Sequence, residues 1–190
     1  MPWLPPNRCP RCALPTLDGS ECGHCLHAPP AFDHACAAFA YQGDLARLIV
    51  NAKFGGQWST LPALAELLLP DIDHQPDLVI PLPLHPSRLR ERGFNQALEI
   101  AHPLARRQDL PLDTSLLLRL RDTEHQARLH HHARSRNMRK AFGCKGRVDG
   151  YSIALVDDIM TTGATLDAAA QALKQAGARR VDVWILARTL

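Results

Sequence analysis

Aromatic residues are scarce, at 5% of 190 positions, although 46% of the chain is hydrophobic. That shortage predicts a core of aliphatic side chains. No apolar run approaches the roughly 18 residues of a membrane span. The N-terminus, MPWLPPNRCP, lacks both the basic segment and the apolar run of a secretory leader. These absences predict a soluble cytoplasmic protein without membrane insertion. Charge is nearly balanced, with a formal net of +3, too little to argue for nucleic-acid binding by itself. The positive residues are unevenly placed, however. Residues 119–147 carry nine Lys or Arg against two acids, Asp122 and Glu124. Such a segment is either an anion-binding surface or a solvated basic loop.

Six cysteines are present, and four of them fall within the first 25 residues. Cys9 and Cys12 form one Cys-x-x-Cys pair and Cys22 and Cys25 a second. Each turn aims two thiolates at one point, and two facing turns complete the tetrahedral sulfur site that Zn²⁺ prefers. A redox pair, or His24 or His27 in place of a sulfur, fits the spacing less well. Four protein ligands leave no open position for catalysis. The expected role is structural, with metal binding supplying the folding free energy of a segment too short to bury a core. Residues 1–30 are therefore read as a zinc-binding knuckle and residues 31–190 as the main domain. Cys36 and Cys144 have no partners of this kind and read as incidental small residues.

Beyond the knuckle, the apolar spacing alternates between strand and helix. ACAAFAYQ reads as a strand, GDLARLIVNAKF and STLPALAELLL as helices, and DLVIPLP as a strand stopped by prolines. NQALEIAHPLARRQ reads as a helix bent or broken near Pro103, and SLLLRL as a further strand. Residues 121–147 show no sustained period and read as a long excursion, of the kind that often forms a lid. His130 to His132 invite a metal reading, but three consecutive side chains do not converge on one ion. At the end of the chain, strand SIALV, a helix from Ala164 to Gln175, a stop at Gly177 and strand RVDVWILA make a parallel βαβ unit. The expected fold class is α/β, a parallel sheet flanked by helices, with the knuckle appended.

Ligands of open parallel sheets bind beyond the carboxyl ends of the strands, and Asp157 and Asp158 lie there. The following turn, Met160 to Thr165, opens a helix; Gly163 permits tight bending, and Thr161, Thr162 and Thr165 add hydroxyl donors. Converging backbone N–H groups at a helix start suit a phosphate. The lysine-bearing Walker loop and the Gly-x-Gly-x-x-Gly dinucleotide loop are both missing. Acids beside a phosphate site need another object, such as sugar hydroxyls or hydrated Mg²⁺. A sugar phosphate satisfies both halves.

An apolar strand followed by Asp-Asp, two residues and Thr-Thr-Gly-x-Thr resembles the 5-phosphoribosyl-1-diphosphate (PRPP) motif of type I phosphoribosyltransferases. With the four-cysteine knuckle, KFGG at Lys53, PLPLHPSRLRERGFNQA from Pro81, RLRDTEHQARL from Arg119 and RSRNMRKAF from Arg134, the chain resembles the ComF/GntX family of competence-related proteins. The resemblance implies a type I phosphoribosyltransferase fold with a variable hood over the site. It implies that Asp157 and Asp158 hold the ribose hydroxyls and stabilise positive charge on the sugar, and that Thr161, Thr162, Gly163, Ala164 and Thr165 cradle the 5-phosphate. Mg²⁺ would bridge pyrophosphate and ribose oxygens. The loop after LVIPLP supplies Arg88, Arg90 and Arg92, with Asn95 and Gln96 behind; Arg88 and Arg92 are favoured for pyrophosphate, since arginine can chelate it with two parallel hydrogen bonds. Arg119, Arg121, Gln126, Arg136 and Asn137 match the family's basic middle region and would form a lid. The implied activity is phosphoribosyl transfer from PRPP to an unknown acceptor. Two alternatives stand beside it: a competence factor binding single-stranded DNA or the DNA-uptake machinery, and a PRPP-sensing regulator without transferase activity. Few aromatics lie within the basic region, so no stacking platform is evident in it.

Overall fold

The structure is a computed structural model and describes residues 2–69, 72, 74–121 and 141–190. In chain order the elements are α1 (Gly23–His27), β1 (His34–Ala40), α2 (Gly43–Phe54), a 3-10 turn (Trp58–Thr60), α3 (Leu61–Glu66), β2 (Leu78–Pro81), α4 (Pro86–Arg92) and α5 (Gln96–Arg107). They continue with β3 (Leu117–Arg119), β4 (Phe142–Cys144), β5 (Ser152–Met160), α6 (Ala164–Gln175) and β6 (Arg180–Arg188). Four of the strands form one parallel sheet in the order β1-β6-β5-β2. β1 and β6 are buried at every position after their first, as unbroken apolar strands must be when helices cover both faces.

Strand alternation divides the core into two layers. Ile153 and Leu155 of β5 and Val181, Val183 and Ile185 of β6 pack with Leu166, Ala169, Ala170 and Leu173 of α6 and with Cys9, Cys12 and Cys25 of the knuckle. On the opposite face, Ala154, Val156, Trp184 and Leu186 meet α2, α3 and α5 through Leu45, Ile49, Leu61, Leu64, Ile100 and Leu104. Full burial of a Leu or Ile contributes roughly 1.5–3 kcal/mol, so these layers hold the sheet ends in place. The N-terminal segment joins the same sheet: Leu4 N–H donates to Ala38 O (3.0 Å), Ala40 N–H to Pro2 O (2.8 Å) and Ala35 N–H to Pro10 O (2.9 Å).

Four local expectations are revised. The stretch read as a loop with arginines is helix α4. Pro86 starts it where a missing N–H costs nothing, His85 caps Ser87 N–H, and Gly93 ends it at φ +79. Helix α5 is not broken at Pro103 but runs on to Arg107; its buried face of Ala97, Ile100, Ala101, Leu104 and Ala105 outweighs the one hydrogen bond that proline cannot donate. Strand β5 continues past Val156 to Met160 because β6 continues to pair with it, Asp157 opposite Ile185 and Met160 opposite Arg188. The acids therefore lie in the strand. Finally, part of the expected excursion is ordered: Phe142–Cys144 pairs antiparallel with β3, a strand too short to show alternation in sequence. Residues 122–140 lie outside the described residues.

After α6, Gly177 turns the chain at φ +107, and a Cβ there would stand 2.3 Å from Asp149 Oδ1 and 3.0 Å from Asp149 Cα. Backbone as well as side chain would have to move. Gly177→Ala is expected to lower stability by about 1–3 kcal/mol, seen in urea unfolding as a lower midpoint at unchanged slope.

Candidate functional site

A cavity of about 260 Å³ opens at the carboxyl ends of β2 and β5. Its floor is the acid pair. Alternation sends Asp158 toward the α2 face, where Lys53 Nζ, from the last turn of α2, stands 2.6 Å from Asp158 Oδ2. Both partners are well buried, the Lys53 side chain at 19% exposure and the Asp158 side chain at 7%. In such a setting the desolvation of each charge is costly, and the pairing offsets it. Asp157 Oδ1 accepts the Asp158 N–H at 2.9 Å. Burial, and then the Asp158 carboxylate beside it, push the Asp157 carboxyl up to about 8, against the lowering influence of Lys53.

The cavity wall is the turn after β5, with Thr161, Thr162, Gly163, Ala164 and Thr165 all lining it. Gly163 sits at φ +81 as the cap of α6, a left-handed conformation that glycine adopts without strain. A Cβ there would meet Met160 Sδ at 3.4 Å. The first turn of a helix leaves N–H groups without intrahelical partners and carries a positive partial charge. Thr162 Oγ1 accepts the Ala164 N–H at 3.4 Å.

Cations line the same cavity. Arg92, at the end of α4, lines the cavity and lies over the Phe54 ring, 5.3 Å from its centroid. Arg119 of β3 also lines it; its guanidinium is 5.7 Å from the Phe142 ring centroid. Asn95 and Gln96 border the same space. Asn95 works as a brace: its Oδ1 caps α5 by accepting Ala97 N–H (3.0 Å), and its Nδ2 donates to Leu82 O (3.1 Å), fixing the loop after β2. Gln96 is 4% exposed, and its Oε1 has no hydrogen-bond partner among the described residues.

Of the residues singled out from sequence, Asp157, Asp158, Thr161 to Thr165, Arg92, Asn95, Gln96 and Arg119 share this cavity. Arg88 is not among its lining residues; it lies on α4 with Nη1 2.7 Å from Glu91 Oε2. Arg121 follows β3 and is exposed. Gln126, Arg136 and Asn137 lie outside the described residues, as do His130 to His132. Two residues gain roles that sequence reasoning had not assigned. Lys53 stands in the KFGG motif of the resemblance but without a chemical role, because its partner lies more than a hundred residues away in sequence. Arg188 was visible as a charge closing the otherwise apolar run VWILAR.

In the knuckle the four thiols of Cys9, Cys12, Cys22 and Cys25 lie within 4.8 Å of one another, and Cys12 Sγ is 3.6 Å from Cys22 Sγ. Tetrahedral coordination at the usual zinc–sulfur length sets sulfurs about 3.8 Å apart, so the cluster fits a metal ion. Burial pushes the Cys12 thiol up to about 11 and the Cys25 thiol higher still. A bound cation would reverse that preference, since coordination ionises thiols.

A model of the phosphoribosyl transferase domain matches residues 95–189. The DNA utilization protein YhgH of Escherichia coli O157:H7 is 37% identical over 191 residues, spanning 96% of this chain and 84% of its own. Competence protein F of Haemophilus influenzae is 34% identical, spanning 88% of this chain and 78% of its own. The solved glutamine PRPP amidotransferase of B. subtilis is 21% identical with a TM-score of 0.48, over 68% of this chain and 26% of that one. The chain belongs to the phosphoribosyltransferase family, in its ComF-type branch with a four-cysteine N-terminal cluster. No helix among the described residues is long and apolar enough to cross a membrane.

A carboxyl whose proton affinity is raised on folding binds protons more readily in the native state than in the unfolded chain. Its contribution to stability is greatest below the ordinary value of 3.8 and is lost as pH rises to about 8. Measured as Tm against pH without ligand, Asp157→Asn should therefore gain on the wild type progressively between these values and then level off. Parallel profiles would contradict this assignment.

Proposed function

We propose that the protein binds PRPP with Mg²⁺ in this cavity and transfers the phosphoribosyl group to an acceptor that is not yet identified. The observation supporting this most directly is that one cavity joins the Asp157–Asp158 pair, the Thr161 to Thr165 turn, and the cations Arg92 and Arg119. The 5-phosphate is assigned to the amides and hydroxyls of the turn and to the positive end of α6. Asp157 and Asp158 accept the ribose hydroxyls. Arg92 and Arg119 face the diphosphate, and Asn95 keeps their loop in place. Mg²⁺, when bound, neutralises charge on the diphosphate. As the bond from C1 to the diphosphate breaks, its electron pair leaves with the diphosphate, and a nucleophile of the acceptor forms the new bond to C1. Positive charge grows on the sugar meanwhile, and a carboxylate of the acid pair fixed beside it lowers the barrier, as preorganised charge does.

Arg119 and Arg121, with Gln126, Arg136 and Asn137, are proposed as the lid that excludes water from this step. Arg88, whose Nη1 is engaged with Glu91, is kept as a candidate for the pyrophosphate through its remaining N–H donors. Zn²⁺ is proposed for the four-cysteine knuckle, as a structural ion. None of the six cysteines is in a disulfide, so the four of the knuckle can all serve as ligands.

Titration calorimetry with PRPP and Mg²⁺ tests the reading. The wild type should bind, and Asp157→Asn/Asp158→Asn should bind at least about tenfold more weakly, since hydrogen bonds to charged groups each contribute roughly 1.5–3 kcal/mol. Wild-type affinity in the double variant would overturn the assignment.

A separate observation favours a second reading, single-stranded DNA as a ligand. Phe54 (74% exposed) and Trp58 (46% exposed) border, with Phe94, Lys53 and Arg92, a groove of about 510 Å³ beside the cavity. Trp58 and Phe94 have ring centroids 6.3 Å apart. Aromatics interleaved with cations are a stacking platform; this one is assembled from α2, the 3-10 turn and the α4–α5 loop, outside the basic segment. The names DNA utilization protein and competence protein F, carried by the relatives, accord with it. Trp58→Ala should weaken binding of oligothymidylate, measured by anisotropy at fixed salt, by about tenfold, as loss of one stacked base implies. Unchanged affinity would remove the groove from consideration.

A further inference from the structure

Arg188 closes β6, and its residue is only 6% exposed. Its Nε donates to the carbonyl of Cys12, one of the four clustered cysteines, at 2.9 Å. Its Nη1 faces the carbonyls of Met160 at 3.0 Å, Thr189 at 2.6 Å, and Thr161. One guanidinium thus joins the knuckle backbone to two successive peptides at the start of the phosphate turn. A planar trans peptide directs its C=O and N–H to opposite sides, and the described residues contain no cis peptide. Carbonyls of Met160 and Thr161 drawn back to Arg188 therefore aim the N–H groups of Thr161 and Thr162 the other way, and both residues line the cavity. Arg188 holds the turn in the form that an anion requires.

The linker after the knuckle makes a second tie. Asp167, in the first turn of α6, accepts the Ala31 N–H at 2.7 Å, and a Cβ on Gly163 would come within 3.8 Å of Phe32 Cζ. Between these two ties a cavity of about 670 Å³, bordered by Cys12, Cys25, Phe32, Gly163 and Arg188, separates knuckle from turn. Four thiolates around a divalent ion also leave a surplus of negative charge beside the buried guanidinium, whereas four neutral thiols do not.

We propose that Arg188 is a positioning residue through which metal loading of the knuckle orders the phosphate turn, so that zinc and PRPP bind with positive coupling. The inference rests on the PRPP and zinc reading given above. Coupling between two ligands is reciprocal, which supplies the test. On the full chain, PRPP affinity is measured by calorimetry with Mg²⁺, and zinc affinity by competition with a chelator, with and without saturating PRPP and Mg²⁺. In the wild type, PRPP should tighten zinc binding by about tenfold, within the ordinary range of coupling. Zinc-loaded Arg188→Gln should keep one zinc per chain, lose most of that coupling, and bind PRPP more weakly by a similar factor. Arg188→Lys, which keeps the charge but has a single nitrogen, should fall between. Wild-type PRPP affinity in zinc-loaded Arg188→Gln overturns the inference. So does a wild type that binds PRPP but whose zinc affinity ignores it, a result that needs no variant to fold. A zinc-loaded wild type that fails to bind PRPP instead overturns the underlying PRPP reading.

Discussion

Met160 and Arg188 form the last rung of the ladder between β5 and β6, and the arrangement of the site follows from that rung. Because pairing with β6 persists to the strand ends, Asp157 and Asp158 are held in β structure, Asp157 opposite Ile185 and Asp158 just before the Ile159–Ala187 pair. The chain must then turn within a few residues to reach α6, whose apolar face of Leu166, Ala169, Ala170 and Leu173 is already committed to the core. Gly163 makes the turn possible. On the other strand of the rung, Arg188 is carried beneath the turn and bonds to it. The position of the acids, the turn after them and the guanidinium that braces that turn are thus consequences of a single pairing.

Electrostatics gives the site its character. Two adjacent carboxyl groups in a largely buried position cannot both ionise cheaply, and Lys53 pairs directly with Asp158. Asp157 responds by holding its proton to about pH 8. A site of this kind is costly to fold and is stabilised by whatever brings donors or positive charge to the carboxylates. Arg92 and Arg119, which line the same cavity, are suited to the opposite task, attracting anions. The cavity is therefore divided into a side that seeks positive charge and hydroxyls, and a side that seeks phosphate, which is the chemical profile of a phosphorylated sugar.

Much of this was legible in sequence because its signals are local. SIALV and RVDVWILA are unbroken apolar runs flanking a helical pattern, so the βαβ unit and the position of its turn could be read directly. The two Cys-x-x-Cys pairs announced their cluster by spacing alone. Other features depended on partners distant in the chain. Asp157 and Asp158 read as strand-end residues because acids rarely sit in a buried strand; only the continued pairing with Ile185 and Ala187 keeps them in β5. Helix α4 was hidden by its short length and by the prolines before it, while its cap at His85 and its stop at Gly93 are small signals. The role of Lys53, marked in sequence by its KFGG motif alone, and the site position of Arg188 were unreadable, since each acquires its meaning from contacts across more than twenty-five residues of sequence. The aromatic groove was missed for the same reason: Phe54, Trp58 and Phe94 come together only when α2 and α5 pack on one face of the sheet.

The central claim is that the acid pair and the turn after β5 are two halves of one PRPP site. A crystal structure of the zinc-loaded protein with PRPP and Mg²⁺ tests it most directly. The account predicts the 5-phosphate against the backbone N–H groups of the Thr161 to Thr165 turn, with the ribose hydroxyls on Asp157 and Asp158. A 5-phosphate bound elsewhere, with the turn and the acids unengaged, would contradict it.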